Sequence, residues 1–145
     1  FNILDQRILE KKIFKYILKD QIFTLPRTIL NFGIFTEDFI SKKHKFHKYD
    51  HRKKWNKKQI NKWIFFSKKI RNSLKIKIDE ICYRFCKNFY FQNIIFGAAE
   101  KKHIDQAIKN FSKKKLKKNE IKIIKKVYNE FSKKKILKPH YQHKL

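Results

Sequence analysis

A chain of 145 residues, 41% of them hydrophobic, can bury one core, and Gly 2 and Pro 2 over the whole length exclude a turn-rich all-β fold. Its 39 Lys and Arg against 12 Asp and Glu leave a net charge of +27, which strains a compact monomer by self-repulsion and favours a partner that supplies counter-charge. No glycine-rich phosphate loop, nucleophile elbow or carboxylate pair beside a base is present, so the residues alone point away from an enzyme.

Ile and Phe recur mostly at helical spacing, which predicts an all-α fold. The expected architecture is an antiparallel helical bundle with basic extensions: an N-terminal helical extension over 1–34, a helical core over 35–96 and a basic C-terminal helical extension over 97–145. In residues 3–24, Leu9, Ile13, Tyr16 and Ile17 alternate with Lys11, Lys12, Lys15 and Lys19, which predicts one helix ending before Leu25-Pro26. Residues 28–35 are short and apolar and contain Gly33, so helix and extended connector both remain open there. Thr36 followed by Glu37 and Asp38 reads as a helix start, the hydroxyl capping and the acids facing the positive helix end, with the helix running to about His44.

A polar, histidine-rich elbow, His44 to His51, leads into the most regular stretch of the chain. Ile60, Trp63, Ile64, Ser67, Ile70 and Leu74 mark one face of a helix of about four turns. Lys57, Lys58, Lys62, Lys68, Lys69, Arg71 and Lys75 mark the other, and a helix face so cationic most often meets a polyanion. Ile78, Ile81, Cys82, Phe85 and Phe89 form the next stripe, with Asp79 and Glu80 in its first turn, and a short link at 75–77 predicts antiparallel packing of the two helices. Trp63 is read as core, and Cys82 and Cys86, one turn apart on the apolar face, as buried thiols. Gly97 marks a break, residues 98–110 form a short helix, and 112–118 are a lysine-rich loop or frayed helix. From Glu120, Ile121, Ile124, Tyr128 and Phe131 predict a last helix reaching about Lys135, then a loose tail.

Export and membrane insertion are not expected. The longest uncharged run, 88–99, is shorter than the roughly eighteen residues that cross a bilayer, and the acids Asp5, Glu10 and Asp20 are unlike a transit or signal peptide. Lysine far outnumbers arginine and isoleucine far outnumbers valine, a bias of AT-rich codons that suits an organelle or a parasite nucleus.

At the elbow and the helix after it, the sequence resembles the small-subunit ribosomal protein fifteen family. Phe35-Thr36-Glu37-Asp38-Phe39-Ile40 stands for the family's L-T-x-x-I segment, and His47-Lys48-Tyr49-Asp50-His51 for its H-K-x-D-H elbow. Lys57-Lys58 and Lys68-Lys69 stand for its two basic pairs, with Ile70 and Leu74-Lys75 following at its spacing. The sequence departs by an insertion after Asp50, by Ser73 where the family has tyrosine, and by lacking a T-G-S segment upstream. The resemblance implies a structural constituent of the ribosomal small subunit, of mitochondrial type and located on the matrix ribosome. Its implied partners are ribosomal RNA of the central domain near a three-way junction and neighbouring ribosomal proteins, with no small-molecule substrate, cofactor or metal. The RNA-binding residues carried over or read from the basic face are Thr36, His44, His47, Asp50, His51, Arg52, Lys57, Lys58, Lys68, Lys69, Arg71 and Lys75. Lysine–phosphate contacts supply affinity, while His47 and Asp50 face a shallow minor groove.

Plainer readings stand beside these. Asp50 caps the following helix, or reads RNA, or both. Trp55 stacks on a base or lies over lysine stems. His44, His47 and His51 fit no common zinc spacing. Two other functions are carried: an accessory helical subunit of an organellar membrane complex, its lysines on anionic headgroups, and the large-subunit ribosomal protein twenty, whose tryptophan-isoleucine helix resembles Trp63-Ile64.

Overall fold

Four side chains on one helix gather most of the core. In a computed structural model, which describes residues 1–10, 12–41, 46–89, 91 and 93–133, that helix is the fourth of seven, and no strand occurs among the described residues. The all-α expectation is met. The helices are α1 (Arg7–Glu10), α2 (Lys12–Lys19), α3 (Glu37–Ser41), α4 (Lys57–Leu74), α5 (Ile78–Asn88), α6 (Lys101–Ser112) and α7 (Lys118–Lys133), with a 3-10 turn at His51–Lys54 before α4.

Helix α4 starts where the Asn56 side chain accepts from the Gln59 N–H at 3.2 Å, an N-cap that satisfies one orphan donor. It ends at Lys75, whose left-handed backbone (φ 54°) turns its N–H back to the Arg71 carbonyl. Ile60, Trp63, Phe66 and Ile70 are buried on one stripe, and Ser67 fits between them by donating its hydroxyl to the Ile64 carbonyl. The stripe is rotated from the expected one: Phe66 is fully buried, while Ile64 and Leu74 are only half-buried. The cause is a second neighbour, because Phe131 of α7 meets the Phe66 ring edge-on at 5.4 Å and Phe35 meets it at 6.3 Å. On the other side, Ile78, Ile81, Cys82 and Phe85 of α5 join the same cluster, as do Ile3, Leu4, Ile34, Phe35, Ile124 and Val127.

The N-terminal helix expected over 3–24 is shorter: among the described residues the helical spans are Arg7–Glu10 and Lys12–Lys19. Asn2 folds the first residues into a turn, its Oδ1 accepting from the Leu4 and Asp5 N–H groups, so Ile3 and Leu4 enter the core instead of starting a helix. Helix α2 buries none of its residues, and Ile13 and Tyr16 are exposed. It stops at Lys19 because Gln21 takes a left-handed φ of 50°, well before Pro26. Residues 28–35 are neither helix nor extended strand. Thr28, Asn31, Phe32 and Gly33 all have positive φ, and the turn is closed by N–H bonds from Asn31 to the Thr28 carbonyl and from Phe35 to the Leu30 carbonyl. Helix α3 begins at Glu37, as expected from Thr36, and its described span ends at Ser41; the rest of the expected helix lies outside the described residues.

The lysine-rich run after α6 is a loop over 113–117, one of the two forms expected, and it is anchored. Lys87 donates to the Phe111 and Lys113 carbonyls, Arg84 donates to the Lys114 carbonyl, and Asn88 exchanges two bonds with Leu116. Leu116 is thereby held in the core. Helix α7 packs along α4, and α6 packs along α5.

Both cysteines are free and buried. Burial pushes the Cys86 thiol up to about 12 and raises Cys82 well above its ordinary value, which keeps both as unreactive core groups. Replacing Trp63, which is 1% exposed, by alanine is expected to cost about 3–5 kcal/mol of stability, read from the urea midpoint; a loss under about 1 kcal/mol would contradict its place in the core.

Candidate functional site

The elbow is built around Arg52. Asp50 caps the 3-10 turn by accepting from the Arg52 N–H at 2.9 Å, and both carboxylate oxygens then take the Arg52 guanidinium, with Nη2 2.6 Å from Oδ2. The remaining Nη1 donates to the Phe32 carbonyl at 2.6 Å, which ties the elbow to the left-handed turn at 28–35. The Phe46 ring lies under the guanidinium at 4.9 Å. Gly33 is required beside it: its φ is +81°, and an added Cβ would sit 3.2 Å from Nη1.

Hydrogen bonds from the Arg52 side chain, helped by its backbone N–H and by the charges of Arg52 and His51, lower the Asp50 carboxyl from 3.8 to about 2 against the opposing effect of burial. The carboxylate the sequence analysis offers to a ligand is therefore engaged within the chain. Trp55 lies in an aromatic group, edge-on to Trp63 at 5.9 Å and to Phe32 at 5.3 Å. His51 joins this group, its ring 5.4 Å from that of Trp55. His47 is exposed and stacks at a tilt on Tyr49. His44 lies outside the described residues.

The other expected site residues divide into two sets. Lys57, Lys58, Lys68 and Lys75 are exposed on α4 or at its end. Thr36, Lys69 and Arg71 serve the fold: the Thr36 hydroxyl donates to the Gly33 carbonyl, Lys69 pairs with Glu130 of α7 at 2.8 Å, and Arg71 pairs with Glu37 of α3. The structure thus brings Asp50, His51 and Arg52 together and leaves the lysines as separate point charges.

A second polar group was not anticipated from the sequence. Asp79, buried in the first turn of α5, accepts at Oδ2 from Asn110 Nδ2 at 3.0 Å and from Gln106 Nε2 at 3.3 Å, while its buried Oδ1 has no partner. One turn on, Tyr83 is buried with Ile29, Cys86 and Ala107, and burial holds its hydroxyl protonated well above the usual range. The spacing of Gln106 and Asn110, four apart on α6, was the available signal. Among the described residues no three His, Cys, Asp or Glu side chains gather to hold a metal ion, and no helix is long and apolar enough to cross a membrane.

A family model described as the Aldo/keto reductase family matches residues 1–129. No curated protein and no solved structure matches the chain. The family match overturns the resemblance to small-subunit ribosomal protein fifteen. The ribosomal role goes with it, as do the ribosomal RNA and ribosomal-protein partners, the exclusion of a small-molecule substrate, and the non-enzymatic reading. The membrane-complex and ribosomal protein twenty alternatives fit the match no better. Physically, the resemblance rested on basic pairs that recur readily in a chain with 39 Lys and Arg, and on an Asp50 whose acceptors are occupied by Arg52.

The Asp50–Arg52 pair predicts a pH-dependent contribution to stability. Because the folded carboxyl is depressed, the contribution is fully present above pH 3.8 and is lost as pH falls through about 2. Asp50→Asn keeps a capping oxygen but loses the ion pair, and is expected to cost about 1–2 kcal/mol at pH 7. Urea midpoints of wild type and variant should converge as pH falls from about 4 to about 2, the interval between the ordinary and the folded value of the carboxyl. Parallel midpoints across that range would contradict the pairing.

Proposed function

Since the chain belongs to the aldo/keto reductase family, we propose that it serves an oxidoreductase whose substrates are small carbonyl-bearing molecules. The match over residues 1–129 supports this reading. Reducing an aldehyde or ketone adds a hydride to the carbonyl carbon and a proton to its oxygen. The hydride comes from a cofactor such as a reduced nicotinamide dinucleotide, and protein groups seat and orient the reactants.

Net charge narrows the substrate class. A surface at +27 concentrates anionic solutes and speeds their encounter, an effect that salt screens beyond about 8 Å at physiological ionic strength. Carbonyl compounds bearing a carboxylate or phosphate are accordingly favoured over neutral ones of the same size.

The test is an assay of the native assembly, isolated through an affinity tag on this chain. Oxidation of reduced nicotinamide cofactor is followed by absorbance with benzaldehyde and with 4-carboxybenzaldehyde. The expected result is carbonyl-dependent oxidation, several-fold faster for the carboxylated aldehyde at low salt, the two rates converging near 0.5 M salt, where the screening length is only a few ångström. Absence of oxidation with either aldehyde would contradict the reading.

A further inference from the structure

Residues 12–27 carry Lys12, Lys15, Lys19 and Arg27 against the single acid Asp20, and among the described residues none of these side chains has an ion-pair or hydrogen-bond partner. Arg27 differs in this from the other arginines. Arg7, Arg52, Arg71 and Arg84 are each held by an Asp or Glu. Arg27 is exposed with its planar fork open, a shape that takes a carboxylate through two parallel hydrogen bonds.

The same stretch exposes apolar side chains that the chain itself does not cover. In α2, Phe14 and Leu18 lie four apart, while Lys12, Lys15 and Lys19 mark the opposite side. Phe14 stands 6.5 Å from the Phe89 ring and 6.3 Å from that of Phe91, which seats α2 beside the end of α5; Leu18 stays exposed. Past α2, the Ile95 N–H donates to the Pro26 carbonyl at 2.9 Å and joins the segment after α2 to the segment after α5. Ile22, Phe23, Leu25, Ile95 and Phe96, all within a few residues of that bond, are exposed, Phe23 at 71%. Gly97 follows in open space, with no group within 4 Å of an added Cβ. Single exposed apolar residues are ordinary on a surface, but a group of them at one junction marks an interaction site.

Main-chain groups are open at the same place. Among the described residues, the backbone N–H and C=O groups of Phe23, Thr24 and Leu25 have no hydrogen-bond partner. An occupant must therefore cover apolar side chains, offer carboxylates to Arg27 and Lys19, and satisfy the main chain. A second copy of this chain, at a net charge of +27, is repelled. Bilayer hydrocarbon would strip water from the open backbone groups and replace it with nothing. A peptide meets all three needs. We propose that this junction docks an extended acidic segment of a partner protein. Its main chain pairs with residues 23–25, its apolar side chains cover Phe23, Leu25 and Ile95, and a carboxylate sits on Arg27. The docking is independent of the reaction the assembly performs.

The probe is an acidic peptide of about ten residues that alternates glutamate with valine. Calorimetry on the full chain at about 0.2 M salt compares it with oligoglutamate of equal charge and with vesicles of phosphatidylcholine and phosphatidylglycerol. The peptide is expected to bind at least about tenfold tighter than oligoglutamate, because apolar cover resists screening by salt. Phe23→Ser combined with Leu25→Ser should abolish that margin, and Arg27→Gln should weaken the peptide about tenfold. Methylating alternate peptide nitrogens should weaken it as well. Ile108→Ser, on the exposed side of α6, should change nothing. Every substituted side chain is exposed, so the variants keep the fold. Equal affinity for peptide and oligoglutamate would overturn the proposal in favour of diffuse charge. An unchanged margin in the Phe23 and Leu25 variant would overturn the location. Vesicle binding that needs Phe23, without peptide binding, would overturn the partner and assign the surface to lipid.

Discussion

Burial of a single stripe of α4 is the constraint on which the rest of the structure depends. Trp63, Phe66 and Ile70 are at most 1% exposed, and they meet α5, α7 and the segment before α3. Each fully buried large apolar side chain contributes roughly 1.5–3 kcal/mol, so this stripe outweighs any one surface pair. It also fixes which way the charges point. With one face of α4 closed on both flanks, Lys57, Lys58, Lys62 and Lys68 have only solvent to face.

The scarce acids are placed where elements meet. Glu37 joins α3 to α4 through Arg71, and Glu130 joins α7 to α4 through Lys69. Glu80 collects Arg84 and Lys113, tying α5 to the segment after α6. Paired neighbours hold the Glu80 carboxyl below its ordinary value despite its burial. Individually, exposed pairs of this kind contribute about 0–1 kcal/mol. Their larger consequence is chemical. Acids engage four of the five arginines, whose planar forks recognise phosphates and carboxylates, and leave the surface to Arg27 and to lysines, which act as hydrated point charges.

Periodicity alone located α4, α5, the link between them, the core position of Trp63 and the burial of both cysteines. These are local properties, visible in three- and four-residue spacing. What escaped depends on distant partners. The positive φ angles of Thr28, Asn31 and Phe32 cost of order 1–3 kcal/mol each, and contacts remote in sequence hold the segment, notably Arg52 on the Phe32 carbonyl and Asn2 on that of Thr28. The lysine-rich run at 112–118 reads as loop or frayed helix, and what holds it, Arg84, Lys87 and Asn88 binding its carbonyls, lies about 28 positions away in sequence. At the candidate site, Asp50 as a cap was legible, but its closure by Arg52 was not, and the Asp79–Asn110 bond spans 31 positions. Short basic motifs carry little information in so cationic a chain, which is why the family was misread.

The fold claim reduces to a hierarchy of local stability, with α4 and α5 at its centre and α2, which buries nothing, at its edge. Backbone hydrogen exchange on the full chain measures that hierarchy directly. Amides of α4 and α5 are predicted to exchange only through global unfolding, while those of α2 exchange orders of magnitude faster. Protection in α2 equal to that in α4, or early exchange across α4, would contradict a core built on the Trp63 face.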